Sequence, residues 1–322
     1  MKTNEIYEVY EWLERFYHYI LMYSDSGHQA KSYLLERGLS NETLKKFKLG
    51  FAPKKAKITL EFLESKGYNL ETLVSNKVLN KFRDGNITDI FRGRIVLPIQ
   101  DFKGRTVAFG GRSVDGKSNI KYINSATSNV YQKKDNLYGF SRSEDHIKKE
   151  GFAILVEGYF DVLVSHQNGL KNTVGALGTA LTVNQALLIK SITENVVIAF
   201  DGDDAGMENA FRSASVLASV GCKVKIATIP NELDPDDYIS TYGGTSFLKD
   251  VIHMSKDVIV SYIEYKSKSK RFKESTSPID RFVFIEDVLK NFPPNNESEH
   301  IKTLSLLGEE LNVDLGSLYN YI

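Results

Sequence analysis

Two acidic turns organise this sequence: Ala153-Ile-Leu-Val-Glu-Gly-Tyr-Phe-Asp161 and Val196-Val-Ile-Ala-Phe-Asp-Gly-Asp-Asp-Ala-Gly206. Each is an apolar run of strand length that ends in carboxylates and a glycine, as when a parallel α/β sheet presents ligands at the carboxyl ends of its strands. Glu157, Asp201 and Asp203 are therefore expected to converge. Because carboxylates that converge without cationic partners raise one another's pKa, a bound divalent cation is the expected compensation. Oxygen-only ligands favour Mg²⁺ or Mn²⁺.

The residues around these turns alternate between strand and helix patterns. Strands are predicted at 153–157, 173–176, 196–200 and 223–229, and helices at 159–168, from Thr182 onwards and at 205–220. This order is typical of a parallel sheet with right-handed crossovers, which brings Glu157 and Asp201 to the same sheet edge. The segment Asp234-Pro-Asp-Asp237 follows the last strand, so it is expected at that edge too.

Composition limits the class of protein. The 322 residues, 42% of them hydrophobic, suffice for two or three domains with their own cores. No apolar run of about 18 residues predicts a membrane span, and the glutamate-rich start of the chain does not resemble a signal peptide. One cysteine, Cys222, excludes a disulfide within the chain and a cysteine-based zinc site. We therefore expect a cytoplasmic protein with no zinc in this chain.

Charge is unevenly distributed although the formal net charge is zero. Residues 81–142 carry twelve Lys or Arg against five Asp or Glu, whereas residues 153–237 carry five against eleven. A basic block followed by an acidic block suits a phosphate-binding surface beside a metal site. The alternative is two ordinary charged surfaces that happen to segregate.

The amino-terminal part begins with helix patterns. Helices are predicted at 5–22, at Gln29–Arg37 with Gly38 ending it, after a Ser40 cap, and as short segments within 58–79. A hairpin of strands follows at Ile90–Ile99 and Thr106–Gly111, and Pro98 predicts that the first strand lies at an edge or ends there. Gly110-Gly111 is expected to leave bare backbone where a phosphate or base approaches, with Arg112 able to fork onto that phosphate.

The ordered acidic set resembles a known family. Glu157, then Asp201-Gly-Asp203, then Asp234-Pro-Asp-Asp237 resemble the Toprim domain shared by bacterial primases, topoisomerases and certain nucleases. Tyr159 and Asp161, together with Leu177-Gly-Thr179, resemble the DnaG-type primase in particular. The structural alternative is an Asp-rich surface turn with a Glu that caps a helix.

Amino-terminal blocks resemble the same family. They are Phe91-Arg-Gly-Arg-Ile95, Pro98-Ile99, Phe109-Gly-Gly-Arg112, Lys121-Tyr-Ile-Asn-Ser125 and Leu137-Tyr-Gly139, together with Glu36-Arg-Gly-Leu-Ser40 and Gly50-Phe-Ala-Pro53. One departure is Ser125-Ala-Thr-Ser128, where the family usually has Ser-Pro-Glu-Thr, so any role of that glutamate does not transfer. The resemblance implies that nucleic acid or nucleotide contacts Arg37, Arg92, Arg94, Arg112, Lys121, Asn124 and Lys133. For each basic residue the alternative is a solvated surface charge, and for Arg37 an interaction with the helix dipole.

The resemblance also implies the roles of the acidic residues. Glu157, Asp201 and Asp203 are the predicted catalytic metal ligands. Asp234 and Asp236 are predicted to hold a second metal or to shape the first site. Asp161 and Asp204 are expected to support these ligands, although an Asp in the first turn of a helix is also a common dipole partner.

The predicted fold is a multidomain α/β and α+β chain. It comprises a mixed α/β amino-terminal subdomain at 1–150 for template and nucleotide binding, a Toprim parallel-sheet domain at 151–244 and a helical subdomain at 245–322. The last is expected to contain helices at Phe247–Tyr265, Pro278–Leu289, Glu297–Leu311 and Leu315–Tyr321. The basic linker Lys266–Lys273 between the first two is a further candidate for nucleic-acid contact.

The function implied by the resemblance is that of a primase, a DNA-directed RNA polymerase that makes short RNA primers from ribonucleoside triphosphates on single-stranded DNA during replication. The family's zinc module and helicase-binding module are not recognised in this sequence. We therefore expect a monomeric fragment or stripped relative of the family that makes primers only weakly by itself. We expect it to contact the replicative helicase only through domains absent from this chain. The alternatives are a Toprim nuclease or topoisomerase, and a non-catalytic scaffold that binds DNA.

Overall fold

The computed structural model describes residues 1–114, 120–178, 180–267, 278–294 and 296–311. Its helices are α1 (Thr3–Tyr23), α2 (His28–Glu36), α3 (Asn41–Lys46), α4 (Ala56–Ser65), α5 (Leu70–Ser75), α6 (Phe140–Glu150), α7 (Tyr159–Gln167), α8 (Val183–Lys190), α9 (Asp204–Ser219), α10 (Pro235–Tyr242), α11 (Gly244–Ser246), α12 (Val258–Ser267), α13 (Pro278–Asn291) and α14 (Glu297–Leu311). Its strands are β1 (Gly50–Phe51), β2 (Asn80–Lys81), β3 (Ile87–Thr88), β4 (Arg94–Gln100), β5 (Thr106–Ser113), β6 (Tyr122–Asn124), β7 (Ala153–Val156), β8 (Thr173–Gly175), β9 (Asn195–Ile198), β10 (Lys223–Ile226) and β11 (Lys256–Asp257).

A five-stranded sheet confirms the predicted parallel α/β domain. Its order is β11-β10-β9-β7-β8, and all neighbours except β11 and β10 are parallel. Every residue of β7 is buried, as expected for a strand covered by helices on both faces. Leu155 pairs with Ile198 in the register of β7 with β9. The chain therefore leaves both strands at the same edge of the sheet, just before Glu157 and Asp201.

The amino-terminal sheet is antiparallel and has the order β1-β4-β5-β6. Strand β4 begins at Arg94 rather than at Ile90, because the buried Asp89 accepts a hydrogen bond from the backbone N–H of Phe91 (2.8 Å) and turns the chain there. The prediction that this strand lies at an edge of the sheet or ends at Pro98 is wrong, since β4 lies between β1 and β5 and continues to Gln100. Pro98 is tolerated because the short β1 pairs only with Ile95 and Val96 and ends before the proline.

One apolar cluster joins the two sheets. It contains Phe51 and Leu97 of the amino-terminal sheet and Val156, Tyr159 and Phe160 of the parallel domain. Helix α7 is buried from Tyr159 to His166 because it packs between these layers. The two sheets are thus held by a shared core, and the division of the chain at 150 and 244 stays a prediction.

The segment after residue 244 differs from the expected uninterrupted helix. A π-helical segment at Phe247–Ile252 is followed by β11, which pairs antiparallel with β10 and covers that edge of the sheet. Helix α12 then packs on α9 through Tyr262 and Phe211, whose ring centroids lie 5.0 Å apart. The predicted helix at 315–321 and residues 268–273 of the basic linker lie outside the described residues. Within the described residues, no helix is both long and apolar enough to cross a membrane.

Candidate active site

A cleft of about 350 Å³ lies where the two sheets meet. The side chains on one side of the cleft are acidic and those on the other are basic. The predicted site residues that line it are Glu157, Asp161, Asp201, Asp234 and Asp236 on the acidic side, and Arg37, Arg112, Lys121, Asn124 and Lys133 on the other. A larger cavity of about 860 Å³ lies at the opposite ends of the parallel strands, but none of the predicted site residues lines it. Charge and geometry therefore favour the smaller cleft as the functional site.

Glu157 and Asp201 occupy the ends of β7 and β9 with little compensation for their charge. Among the described residues, the buried Oε1 of Glu157 has no hydrogen-bond partner. Burial, then Asp203 and Asp234, raise the pKa of Glu157, while a hydrogen bond from the backbone of Asp201 opposes the shift. Burial and then Glu157 and Asp234 raise the pKa of Asp201 to about 7. An unpartnered buried oxygen beside repelling carboxylates is a setting that a divalent cation would stabilise.

Asp203 and Asp204 begin helix α9. Asp203 is its N-cap, and Oδ1 accepts a hydrogen bond from the backbone N–H of Gly206 at 2.7 Å. This capping contact occupies one of its two carboxylate oxygens. Asp204 is exposed and lies beside Tyr265 of α12, whose pKa is raised by burial first and by Asp204 next. The predicted ligand role of Asp203 and the supporting role of Asp204 stay predictions.

The most tightly grouped carboxylates lie at the start of α10. Asp234, Asp236 and Asp237 offer carboxylate oxygens that lie within 4.8 Å of one another. No other group of three His, Cys, Asp or Glu side chains meets this distance in the described part of the chain, so Glu157, Asp201 and Asp203 are further apart than a preformed ligand set. The positive end of the α10 dipole favours these charges. Sequence reasoning did not select Asp237, although its place directly after Asp236 could have indicated it.

Asp161 connects the acidic groups. It is buried in the first turn of α7, and Oδ2 accepts a hydrogen bond from the backbone N–H of Gly158 at 2.8 Å. Burial, then Asp236 and Asp201, raise its pKa well above the ordinary value. Asp161 thus lies near both the β9 carboxylate and the α10 cluster, and it also serves the structural role expected of an acidic residue in a first turn.

Three basic residues face the acidic side. Arg37, the C-cap residue of α2, donates from Nη2 to Oδ2 of Asp236 at 2.6 Å. Lys121 is exposed and lowers the pKa of Asp234, which burial and neighbouring carboxylates raise overall. Burial lowers the pKa of Lys133. With its oxygen toward Lys133, Asn124 accepts from Nζ at 3.2 Å.

Arg112 has a different setting from the one expected. It is 6% exposed, and its guanidinium donates to the hydroxyls of Tyr33 and Tyr122 and lies 4.4 Å from the ring centroid of Phe160. The side chain therefore holds an aromatic wall of the cleft together. Its predicted contact with a phosphate would require these hydrogen bonds to be shared or exchanged.

The expectation that Gly110-Gly111 admits a phosphate or base is wrong. A Cβ atom at Gly110 would lie 2.5 Å from the ring of Tyr159, and one at Gly111 would lie 2.5 Å from the ring of Phe91. The glycines instead let aromatic side chains of the same chain approach the backbone of β5.

Arg92 and Arg94 are not among the described residues that line the cleft. Arg92 is exposed and donates from Nη1 to the hydroxyl of Thr88 at 3.2 Å. Arg94 donates from Nη1 to the backbone carbonyl of Ile120 at 3.0 Å. Their predicted nucleic-acid contacts therefore stay predictions about the surface beside the cleft.

Comparison with known proteins identifies the family. Residues 16–144 match the family model described as DNA primase catalytic core, N-terminal domain, and residues 154–239 match the Toprim-like model. The Aquifex aeolicus primase structure of zinc-binding and RNA polymerase domains is 31% identical and covers 100% of this chain and 76% of its own, with a TM-score of 0.84. The chain belongs to the DnaG primase family.

Other members of the DnaG family match almost the whole chain. The DNA primase of Halalkalibacterium halodurans is 37% identical over 312 residues, which are 96% of this chain and 51% of the relative. That of Geobacillus stearothermophilus is 34% identical over 98% of this chain and 52% of its own length. A solved DnaG catalytic domain bound to single-stranded DNA is 26% identical, with a TM-score of 0.81, and covers 97% of this chain and 98% of its own. This chain thus spans about half the length of the curated relatives that it matches.

The DnaG family match helps to distinguish a primase from the other Toprim enzymes. The Toprim-like match alone would also suit a nuclease or topoisomerase. The match over 16–144 covers Arg37, Arg112 and Lys133 on the basic side of the cleft and is specific to primases. This match therefore favours a primase over a Toprim nuclease or topoisomerase.

Proposed function

We propose that this chain is the catalytic core of a DnaG-type primase. Such an enzyme joins the 3′-hydroxyl of one ribonucleotide to the α-phosphate of a ribonucleoside triphosphate on single-stranded DNA, and the bond to the β-phosphate breaks to release pyrophosphate. The observation that carries the proposal is the cleft itself, where the carboxylates at the ends of β7 and β9 face Lys121, Lys133 and Arg37. Such a cleft can place a triphosphate and a template strand against one acidic cluster. Positioning of this kind is the main contribution that a protein makes to phosphoryl transfer.

Glu157, Asp201 and Asp203 are the proposed ligands of the catalytic metal, and Asp234, Asp236 and Asp237 would hold a second metal or shape the first site. The unpartnered Oε1 of Glu157 and the close cluster at the start of α10 fit a divalent cation bound by oxygen. We propose Mg²⁺, with Mn²⁺ as its substitute. When bound, the metal would lower the pKa of the attacking hydroxyl and neutralise charge on the phosphate oxygens.

The basic residues are proposed to bind phosphate in two ways. Lys121 is exposed and Lys133 is half-buried, so both can reach a nucleotide or template in the cleft. Arg112 acts mainly by holding Tyr33 and Tyr122 in the cleft wall. Arg92 and Arg94 would contact template further along the surface. Contacts of this type give affinity that depends on salt and not on template sequence.

We infer the binding partners of this chain from those of its relatives. A related catalytic domain has been solved with single-stranded DNA, so we propose the same template here, with ribonucleoside triphosphates as substrates and an RNA primer as product. Because the relatives are bacterial DNA primases, we place the chain at the replication fork in the bacterial cytoplasm.

A primer-synthesis assay with single-stranded DNA, labelled ribonucleotides and Mn²⁺ tests this proposal. The wild type should give template-dependent RNA, and Glu157→Gln should lower the rate by about 100-fold or more. Asp145→Asn, which removes an exposed carboxylate from α6, is the matched control and should retain wild-type activity. Cleavage of the template would support the nuclease alternative, and DNA binding without either reaction would support the scaffold.

A further inference from the structure

One residue of the basic side is already bound to the acidic side. Nη2 of Arg37 lies 2.6 Å from Oδ2 of Asp236, although 199 positions separate the two in sequence. The Asp236 side chain is 8% exposed and that of Arg37 is 36% exposed, so the pair joins a buried carboxylate to a guanidinium that borders the open cleft. Asp236 is also the buried member of the aspartate cluster at the start of α10.

A clamp from the parallel domain positions Arg37. Gln167, the last residue of α7, donates from Nε2 to the backbone carbonyl of Gly38 at 2.8 Å. Its Oε1 accepts hydrogen bonds from the backbone N–H of Ser40 and from the hydroxyl of Thr43, both at 2.7 Å. The loop that follows Arg37 is therefore fixed to the domain that carries Asp236, and the pairing is built into the fold.

The pair has consequences for any cation that enters the cluster. A guanidinium and a divalent cation that both approach Asp236 repel each other while they compete for the same carboxylate. The guanidinium is planar, keeps its charge at all physiological pH values and is suited to bidentate contact with phosphate. A partly exposed arginine at this position can therefore exchange one oxyanion for another at small cost.

We propose that Arg37 is an exchangeable counter-cation that neutralises Asp236 when the cluster holds no metal, and that turns to a template phosphate when a divalent metal binds. The inference rests on the proposed function of the cleft and adds a coupling to it. Metal binding releases Arg37 for the nucleic acid, and the nucleic acid removes the competitor of the metal. By linkage each ligand must then raise the affinity of the chain for the other.

Titration with Mn²⁺, in which the EPR signal reports free Mn²⁺, tests the competition in the full chain with and without a twelve-residue oligothymidylate. Without DNA, Arg37→Gln should bind Mn²⁺ about 5- to 10-fold more tightly than the wild type. The control Arg105→Gln removes a partly exposed arginine whose ion pair with Asp101 (2.7 Å) lies in the β4–β5 turn, and it should leave the affinity unchanged. The oligonucleotide should tighten Mn²⁺ binding about fivefold in the wild type and much less in Arg37→Gln.

Arg37→Lys is the control for a folding defect in Arg37→Gln, because lysine keeps the positive charge but lacks the planar guanidinium. It should bind Mn²⁺ as the wild type does without DNA and show a smaller response to the oligonucleotide. Equal or weaker Mn²⁺ binding by Arg37→Gln, or an equal effect of DNA on both proteins, would overturn the inference. If the wild type binds no Mn²⁺, or if Asp234→Asn binds it as tightly as the wild type, the cluster at the start of α10 does not bind the metal and this inference fails. Template-dependent RNA synthesis by the wild type would still support the proposed function.

Discussion

The two sides of the cleft treat their charges differently. On the basic side Arg37 is paired with Asp236, Arg112 with two tyrosines, and the amine of Lys133 with the Asn124 amide. On the acidic side Glu157 keeps a buried oxygen without a partner among the described residues. The contrast is that the chain fixes Arg37, Arg112 and Lys133 by its own contacts and leaves Glu157, at the end of β7, to be balanced from outside.

A substitution on the basic side of the cleft is expected to cause the largest loss of folding stability. Arg112→Ala removes a buried guanidinium that serves Tyr33 and Tyr122, so it should lower the free energy of unfolding by about 3 kcal/mol. Urea denaturation of the variant and the wild type measures the difference. Lys121→Ala, from the same side but exposed, is the control and should change stability by less than about 0.5 kcal/mol. Equal stability of all three proteins would show that Arg112 has no structural role.

The acidic side should instead make stability depend on pH. The pKa of Asp201 is raised from 3.8 to about 7, so the folded state binds its proton more tightly than the unfolded state does. The stability associated with that proton is complete below about pH 4 and is lost as pH rises through about 7. Without metal, the melting temperature of the wild type should therefore fall more between pH 5 and pH 8 than that of Asp201→Asn. If the melting temperatures of the two proteins change equally with pH, the pKa of Asp201 is not raised in the folded state.

The smallest expected effect concerns template binding. Lys121→Ala removes one cation that can contact phosphate, so the slope of log affinity for single-stranded DNA against log salt should fall by about 0.7. Fluorescence anisotropy of a labelled oligothymidylate between low and moderate salt measures this slope. Lys225→Ala, which removes a cation from β10 outside the cleft, should leave the slope unchanged. The reverse pattern would place the DNA path on the other face of the sheet.

Local patterns predicted most of the fold. The strands at 153–156 and 195–198 and the intervening helices were recognised because buried parallel strands are short apolar runs, and Ser40 was recognised as a helix cap from its own side chain. The β11 strand was missed because two polar residues carry no alternating pattern. Its place in the sheet depends only on pairing with β10.

The site was predicted in part. The placement of Glu157 and Asp201 at the same edge of the sheet follows from the alternation of strands and helices, which sequence can indicate, whereas the direct pairing of β7 with β9 is seen only in the structure. The pairing of Arg37 with Asp236, and the packing of Gly110 against Tyr159, depend on contacts between distant segments that leave no local pattern. Sequence reasoning thus selected the charged residues of the cleft and could not assign which of them are already satisfied.

The most direct test of the unbalanced acidic side is the melting of Asp201→Asn and the wild type with and without Mn²⁺. Without metal, the variant should melt at the same temperature as the wild type or slightly above it, because one repelling charge is removed while the shape is kept. Added Mn²⁺ should raise the melting temperature of the wild type and not that of the variant, which should bind single-stranded DNA but make no primer. A variant that melts lower without metal, keeps its stabilisation by Mn²⁺ and still makes primers would contradict the metal-ligand assignment.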